Sequence, residues 1–387
     1  MKYLQWARGT FAVAAVLAFV CAAGPRLLAQ STTAGAIGGL VADQSKASVP
    51  GATVTVRNVA TNAASDAASD VNGRFLVINL APGVYTVEVT LSGFSPYKRD
   101  NVIVEVGRTT TLDVGLGLAG QVETVQVTAE SPIINTEQSD FSTNINQTTI
   151  ANLPTNTRRW STFALMTPGA APDGTFGLVS FRGISGLLNN NTVDGGDNTQ
   201  AFFAEERGRT RLAYSVSADA VREFQVTTSN YSAEYGRAAG GVVNAVTKSG
   251  TNELHGSGFY FLRDNKWGAT NPFQTQNVFV DGVSTTVQVK PKDRRQQFGG
   301  TVGGPIQKDK VFFFFSYDQQ ARNFPGVAAP TNPTSVFGPF TAAELATFQT
   351  RGITPAQQAD GINFLTSLTG VVPRTGDQTL FLPKVDW

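Results

Sequence analysis

The sequence predicts a mainly β chain of several units, and three observations carry that expectation. Short apolar-alternating runs recur between Gly, Pro, Asn and Asp turn residues. Only 15% of the residues are charged, whereas Gly (39) and Phe (26) are abundant. That balance suits antiparallel sheets with many turns, and also a wall with one polar and one apolar face. At the far end, Val311–Asp318 (VFFFFSYD) alternates with period two and follows a polar turn at Gln307-Lys308-Asp309.

The first residues form a separate segment. Lys2 and Arg8 precede an apolar run of 13 residues, 11–23. That length fits a secretory signal and is too short for a spanning helix. Cleavage is expected after Ala29, giving a signal at 1–29; a lipoprotein reading at Cys21 is opposed by Val20 before it. Removing Lys2, Arg8 and Arg26 leaves 30 − 3 = 27 basic against 29 acidic side chains, a net of −2. Such a balance speaks against a nucleic-acid binder. Cys21 is the only cysteine and His255 the only histidine, so thiol chemistry and Cys/His zinc sites are not expected. His255 lies in a strand-like context and reads as a wall residue; no enzyme is expected and no cofactor.

Residues 30–118 read as a small β-sandwich. Strands are expected at Ala36–Val41, Ala52–Asn58, Arg74–Leu80, around Tyr85–Val89, at 101–106 and at 109–116, with turns at Pro50-Gly51, Asp70–Gly73 and Pro82-Gly83. Phe75 and Tyr85 are the expected core aromatics. The pieces Val49-Pro50-Gly51-Ala52-x-Val54, Asp70-x-x-Gly73-x-Phe75 and Leu80-x-Pro82-Gly83-x-Tyr85 together resemble the carboxypeptidase regulatory-like domain. The resemblance implies a transthyretin-like or Ig-like sandwich within a carbohydrate-binding-like group of folds. It implies no peptidase activity, for the stretch shows neither metal ligands nor protease residues.

Residues 119–250 read as an α+β unit. A strand-like run, Glu123, Thr124, Val125, Gln126, Val127 and Thr128, follows a Gly-rich linker. A short helix is expected to begin within Ile145–Leu153. Then come Leu153-Pro154-x-Asn156-x-Arg158, Leu165-x-Thr167-Pro168-Gly169, Phe181-Arg182-Gly183 and Val193-Asp194-Gly195-Gly196-Asp197-Asn198. After these stand Val221-Arg222-Glu223-Phe224-Gln225-Val226, Glu234-Tyr235-Gly236-Arg237, Gly240-Gly241-Val242-Val243-Asn244 and Thr247-Lys248-Ser249-Gly250-Thr251-Asn252. In this order they resemble the plug of TonB-dependent outer-membrane receptors of the Oar-like branch.

The resemblance implies an arginine-glycine strand at Arg182-Gly183 and a tight turn at Asp194-Gly195. It also implies close packing at Gly236, Gly240 and Gly241. Charges on the Arg222-Glu223 strand are expected to pair across the boundary between plug and wall. Residues 123–128 are either a contact segment for a TonB-type energy-coupling protein, an extended peptide adding to a partner's sheet edge, or a plain first plug strand. Asp194 and Asp197 admit a calcium reading, with a bare Asx-rich turn as the alternative. The Gly-rich run lacks the Gly-Lys-Ser/Thr ending of a phosphate loop.

Residues 251–387 read as the first strands and a loop of an incomplete outer-membrane antiparallel β-barrel. Strands are expected at His255–Arg263, Arg295–Gly304 and Val311–Asp318, the last stretch beginning another at Phe381. Helices are expected at Thr341–Gln349 and Pro355–Leu368 in a long loop. On the returning strand Val311, Phe313, Phe315 and Tyr317 share one face; Phe312, Phe314, Ser316 and Asp318 share the other, expected to be luminal. A buried hairpin in a soluble sandwich is the alternative. The run Gln297-Phe298-Gly299-Gly300 through Gly303-Gly304-Pro305 to Phe312-Phe313-Phe314 resembles the family's first periplasmic hairpin, and too few strands are present to close a wall, so a fragment is expected. The resemblance implies an outer-membrane transport receptor with a periplasmic N-terminal module, contacting outer-membrane lipid and taking up a small-molecule, saccharide or peptide substrate. An Oar-like adhesion or structural protein, or a carbohydrate-binding surface protein, are the alternatives.

Overall fold

The structure is a computed structural model that describes residues 32–119, 140–153, 158–174, 178–200, 214–280 and 283–387. The signal segment and residues 123–128 lie outside the described residues. The chain is mainly β, with an N-terminal unit, a central unit containing short helical turns, and an open C-terminal sheet.

The N-terminal unit comprises β1 (Gly35–Asp43), β2 (Thr53–Asn58), β3 (Ala64–Ala68), β4 (Arg74–Leu80), β5 (Gly83–Thr90), β6 (Tyr97–Val104), β7 (Thr109–Thr111) and β8 (Val114–Leu116). One sheet runs β4-β1-β7 with β8 also on β1; the other runs β3-β2-β5-β6. Strand alternation explains the shared core. Val54 and Val56 on β2, Phe75 and Val77 on β4, and Tyr85, Val87 and Val89 on β5 all point into it. Burying one such side chain stabilises by about 1.5–3 kcal/mol. The Tyr85 hydroxyl donates to the Ala81 carbonyl at 2.7 Å, so this core aromatic leaves no polar atom stranded. Asp70 closes its turn by accepting from the Asn72 and Arg74 amides, each at 2.8 Å, and Gly73 takes φ +75°. Sequence reasoning missed β3, whose ASDAA run has no apolar alternation; pairing with β2 makes it a strand.

The central unit holds β9 (Phe141–Asn146), α1 (Gln147–Asn152), β10 (Ala170–Asp173), β11 (Leu178–Phe181), β12 (Asn190–Val193), β13 (Gly196–Asp197), β14 (Val221–Ser229) and β15 (Val242–Thr247). Asn146 caps α1 by accepting from the Thr149 amide at 3.0 Å. The main sheet runs β13-β12-β15-β14-β9, with β12 and β15 parallel and the other neighbours antiparallel. Its core packs Trp160 edge-on to Phe224 (centroids 5.2 Å apart) with Phe163, Phe181, Val226 and Val243.

The C-terminal part comprises β16 (His255–Asp264), β17 (Thr275–Val280), β18 (Val283–Gln288), β19 (Arg294–Gln307), β20 (Val311–Asn323), β21 (Gly326–Ala328), β22 (Gly370–Val372) and β23 (Thr375–Asp386). The antiparallel sheet β16-β19-β20-β23 is open among the described residues. β20 extends past the expected 311–318 because Gln319–Asn323 pairs with Arg294–Phe298, and β19 extends past 295–304 at both ends, by Arg294 and by Pro305–Gln307 beside Val311 and Phe312. The β17–β18 hairpin, within the connection between β16 and β19, was missed in the sequence, although Asp281-Gly282 stands between its two strands as a two-residue turn signal. Helices α2 (Pro333–Phe337), α3 (Ala342–Thr350) and α4 (Pro355–Ser367) lie between β21 and β22; Thr341/Glu344 and Thr354/Gln357 form capping boxes for the last two.

The two faces of the C-terminal sheet separate as the alternation requires. Phe312, Phe314, Ser316, Asp318 and Gln320 are buried, and Phe314 joins the core of the central unit. Phe298, Val302, Phe315 and Phe381 point away from that unit and are exposed. A one-residue slip would reverse the two sets.

Candidate functional site: a polar seam between the central unit and the sheet

The central unit meets the sheet through hydrogen bonds centred on Asp318. This carboxylate, 1% exposed, accepts from the Tyr214 hydroxyl at 2.5 Å, the Ser217 hydroxyl at 2.6 Å and Gln297 Nε2 at 3.1 Å. Gln297 Nε2 also lies 2.6 Å from the Tyr214 hydroxyl oxygen. On β23, Gln378 Nε2 donates to the Tyr214 carbonyl at 2.5 Å, and its Oε1 accepts from the Tyr214 amide at 3.1 Å. Tyr214 is therefore held by three strands of the sheet, β19, β20 and β23. Burial raises its phenol well above the ordinary range, and the neighbouring Asp318 charge adds to the effect, so the hydroxyl stays a donor. A buried carboxylate with several donors is satisfied; the same group without them would carry a large desolvation penalty.

Two flanking contacts continue the seam. Asp219, in the turn after Ser217, accepts from the Ser257 hydroxyl of β16 at 2.5 Å and lies 3.9 Å from Lys248 Nζ. Asp194 accepts from the Thr247 amide (2.8 Å) and hydroxyl (2.5 Å), while Lys384 Nζ of β23 lies 4.0 Å from Asp194 and 3.3 Å from the Thr247 hydroxyl. Arg158 lays its guanidinium 3.8 Å from the centre of the Phe261 ring of β16. Each polar contact across the seam can be exchanged for water at a net cost of about 0.5–1.5 kcal/mol, more where a charge takes part. Such a joint is firm yet separable.

The opposite face of the central sheet docks on the N-terminal unit. The Glu223 carboxylate accepts from the Val106 amide, and Asn144 Nδ2 donates to the Val106 carbonyl at 3.1 Å. Burial pushes the Glu223 carboxyl up to about 7, opposed by that amide and by Arg222. Gly107 has φ +64°, and a Cβ there would lie 2.3 Å from Gln225 Oε1, so any side chain would be strained and would have to displace the Gln225 amide. Beside the contact lies a cleft of about 450 Å³ lined in part by Leu76, Ile78, Thr227, Tyr231 and Tyr235. The expectation that Arg222 and Glu223 pair across the wall boundary is thus corrected for both: β14 turns Phe224 and Val226 into the core and Glu223 and Gln225 toward residues 106–107, and the Arg222 guanidinium lies beside Gly83 of the N-terminal unit.

The other singled-out residues are dispersed. Arg182 (φ 54°) and Gly183 (φ 78°) form a turn just after β11 rather than a strand, since two successive left-handed residues end the ladder. Asp194 (φ 48°) and Gly195 (φ 76°) make the tight hairpin expected there, of the primed kind. The Asp194 carboxylate is engaged by Thr247, and Asp197 by Thr199 and Arg237 (2.7 Å), which favours the Asx-turn reading over calcium. No group of three or more potential metal ligands occurs among the described residues.

Phe224 is fully buried, whereas Glu234 is exposed. A Cβ on Gly240 or Gly241 would meet Asn189 Oδ1 at 2.3 Å or the Phe181 ring at 2.6 Å, but one on Gly236 would meet nothing within 4 Å. Gly236 instead offers its carbonyl to Asn190 Nδ2 at 2.7 Å. Sequence reasoning missed Tyr214, Ser217, Gln297 and Arg158 as site residues. Their one legible signal was Asp318 on the polar face of an otherwise apolar strand.

Two family models match the chain: "Outer membrane beta barrel domain" over residues 246–374, and "Carboxypeptidase regulatory-like domain" over 36–117. The TonB-dependent transporter Oar of Myxococcus xanthus is 30% identical over 302 residues, covering 76% of this chain. The chain spans only 27% of that relative's length. Among solved structures, the outer membrane transporter YddB from Escherichia coli matches at 16% identity and TM-score 0.38, over 48% of this chain and 27% of its own. The siderophore receptor PirA from Acinetobacter baumannii matches at 20% identity and TM-score 0.32, over 48% and 28%.

Proposed function

We propose, for a chain that belongs to the Oar-like family of TonB-dependent outer-membrane receptors, a role in energy-coupled transport across the outer membrane, in which the central unit is a plug seated against the wall. In this reading 1–29 is a signal peptide, 30–118 a periplasmic transthyretin-like sandwich, 119–250 the plug, and 251–387 the opening strands and loop of a β-barrel. The exposed face carrying Phe298, Phe315 and Phe381 meets outer-membrane lipid. The observation that carries the proposal is the seam at Asp318: beside the apolar contact of Phe314, plug and sheet are joined by a set of hydrogen bonds that water can replace. A plug that must be displaced to open a path, and then return, needs that kind of joint. Transport then rests on binding and conformational change rather than covalent chemistry.

The partner is a TonB-type energy-coupling protein, and residues Glu123–Thr128 are its contact segment, bound by strand addition to the partner's sheet edge. A peptide of that segment should bind the periplasmic domain of such a partner. Val125→Pro, which removes a ladder donor, should weaken binding. Equal binding by both peptides would return the segment to a plain plug strand. No association of the chain with outer membranes would overturn the receptor reading.

A further inference from the structure

The chain crosses from the central unit to the sheet within residues 248–250. Lys248, just past β15, still belongs to the central unit, its amide donating to the Ala220 carbonyl at 2.8 Å. Gly250 already lies against the sheet. A Cβ there would overlap the carbonyl oxygens of Phe313 and Gly304, facing residues of β20 and β19. Asn252 is then fastened to the short turn between those two strands. Its Nδ2 donates to Asp309 Oδ1 and its Oδ1 accepts from the Asp309 amide, each at 2.8 Å.

The N-terminal unit holds both sides of this crossing. Its turn after β2 is shaped by Asn58, whose Oδ1 accepts from the Ala60 and Thr61 amides at 2.9 and 3.1 Å. The Ala60 carbonyl presented by that turn accepts from the Asn252 amide of the sheet at 2.9 Å. After β6 the same unit grips the central unit: Glu223 of β14 and Asn144 of β9 hold Val106, and Arg108 donates to the Ser142 carbonyl at 3.4 Å. The two grips stand on one packed core, shared by Val54 and Val56 of β2 with Val102 and Val104 of β6, so their separation is fixed.

A single chain crossing lets one body swing against another. A second tie, leaving the sheet at Asn252 and returning through a rigid unit to β9 and β14, closes a triangle and fixes the angle. We propose that the N-terminal unit is a brace across the 248–250 crossing, which keeps the central unit seated on the sheet until the contact at Ala60 or the contact at Val106 parts. The inference rests on the receptor reading for what the brace restrains, a plug in its wall. In that reading the coupling segment Glu123–Thr128 lies in the chain between Ala119 and Asp140, hence between brace and plug. A pull on it loads the joint that the brace maintains.

A switchable tie tests this. Ala60→Cys with Asn252→Cys is built in a Cys21→Ser chain, which has no other cysteine. An amide-to-carbonyl hydrogen bond places the two residues within the span of a disulfide, about 4.4–6.8 Å between Cα atoms. The chain is held in phospholipid vesicles, and hydrogen exchange is followed at the Tyr214 amide, whose acceptor is Gln378 Oε1 of β23, so that it reports release of the central unit from the sheet. The oxidised form should exchange there more slowly than the reduced form by roughly threefold or more, the scale of one hydrogen bond. Amides of β2 and β5 should exchange alike in the two forms, which shows that both are folded. A control disulfide from Thr55→Cys with Asp66→Cys, cross-strand partners on β2 and β3, should leave Tyr214 unchanged. Failure of the Ala60→Cys/Asn252→Cys pair to oxidise, equal exchange in its two forms, or equal slowing by the control overturns the proposal. Capture of the periplasmic domain of a TonB-type protein is measured on the same vesicles. Capture without slowing defeats the brace alone, whereas slowing without capture supports the brace and defeats the receptor reading alone.

Discussion

The Tyr214 hydroxyl donates to Asp318 Oδ1 at 2.5 Å, tying a residue of the central unit to a residue 104 positions later in the C-terminal sheet. Both side chains are almost wholly buried. Tyr214→Phe removes one donor while keeping the ring, and Asp318 retains Ser217 and Gln297. The expected loss is about 1.5–3 kcal/mol, the worth of a hydrogen bond to a charged group. Hydrogen exchange should report it as faster opening of residues 214–220 with the core of the N-terminal unit unaffected. Asp318→Ala should loosen the seam further, because it takes the acceptor from both the Tyr214 and the Ser217 hydroxyls.

Docking of the N-terminal unit should depend on pH through Glu223. Its carboxyl is raised from 4.5 to about 7 in the docked state. A raised acid binds its proton more tightly when docked, so protonation favours docking. The contact should therefore be firmest below about pH 4.5, weaken as pH rises through about 7, and level off above. Glu223→Gln should flatten that dependence. Limited proteolysis between the units across this range measures it; docking that tightens with rising pH would contradict the assignment.

Gly107→Ala should weaken the same contact by a different route. Its Cβ would meet Gln225 Oε1 at 2.3 Å, and φ +64° is unfavourable for any L side chain. Gly51→Ala is the control: φ is +75° but nothing lies within 4 Å. Both should pay the backbone strain of about 1–2 kcal/mol, and only Gly107→Ala should loosen the inter-unit contact, read as faster hydrogen exchange at the Val106 amide.

The wall faces give a membrane test in a longer relative able to close its barrel. Phe315→Arg puts a charge on the exposed apolar face and should cost about 2–4 kcal/mol near mid-membrane. Ser316 is 3% exposed and faces the plug, so Ser316→Arg should insert into vesicles yet unseat the plug. Heat-modifiable gel mobility reads insertion, and protease sensitivity of the central unit reads seating. Inverted outcomes would reverse the face assignment.

The β alternation, the turns at Gly73 and Asp194, the buried Phe75 and Tyr85 and the two faces of β20 were all legible in the amino-acid order. Each depends on residues within a few positions of one another, where the two-residue period and the allowed backbone angles act directly. The extent of β19 and β20, the strand β3 and the orientation of Glu223 were not legible. Polar tails such as Gln319–Asn323 become strand only when a neighbour satisfies their amides and carbonyls. Which partner receives a buried charge depends on the packing of whole units against either side of a sheet. Tyr214 and Asp318 are distant in the chain and meet only because strand register carries them to one place. Local order determined the strands and their faces; tertiary register alone decided which charges share a site, because Coulomb and hydrogen-bond energies depend on distance in space rather than along the chain.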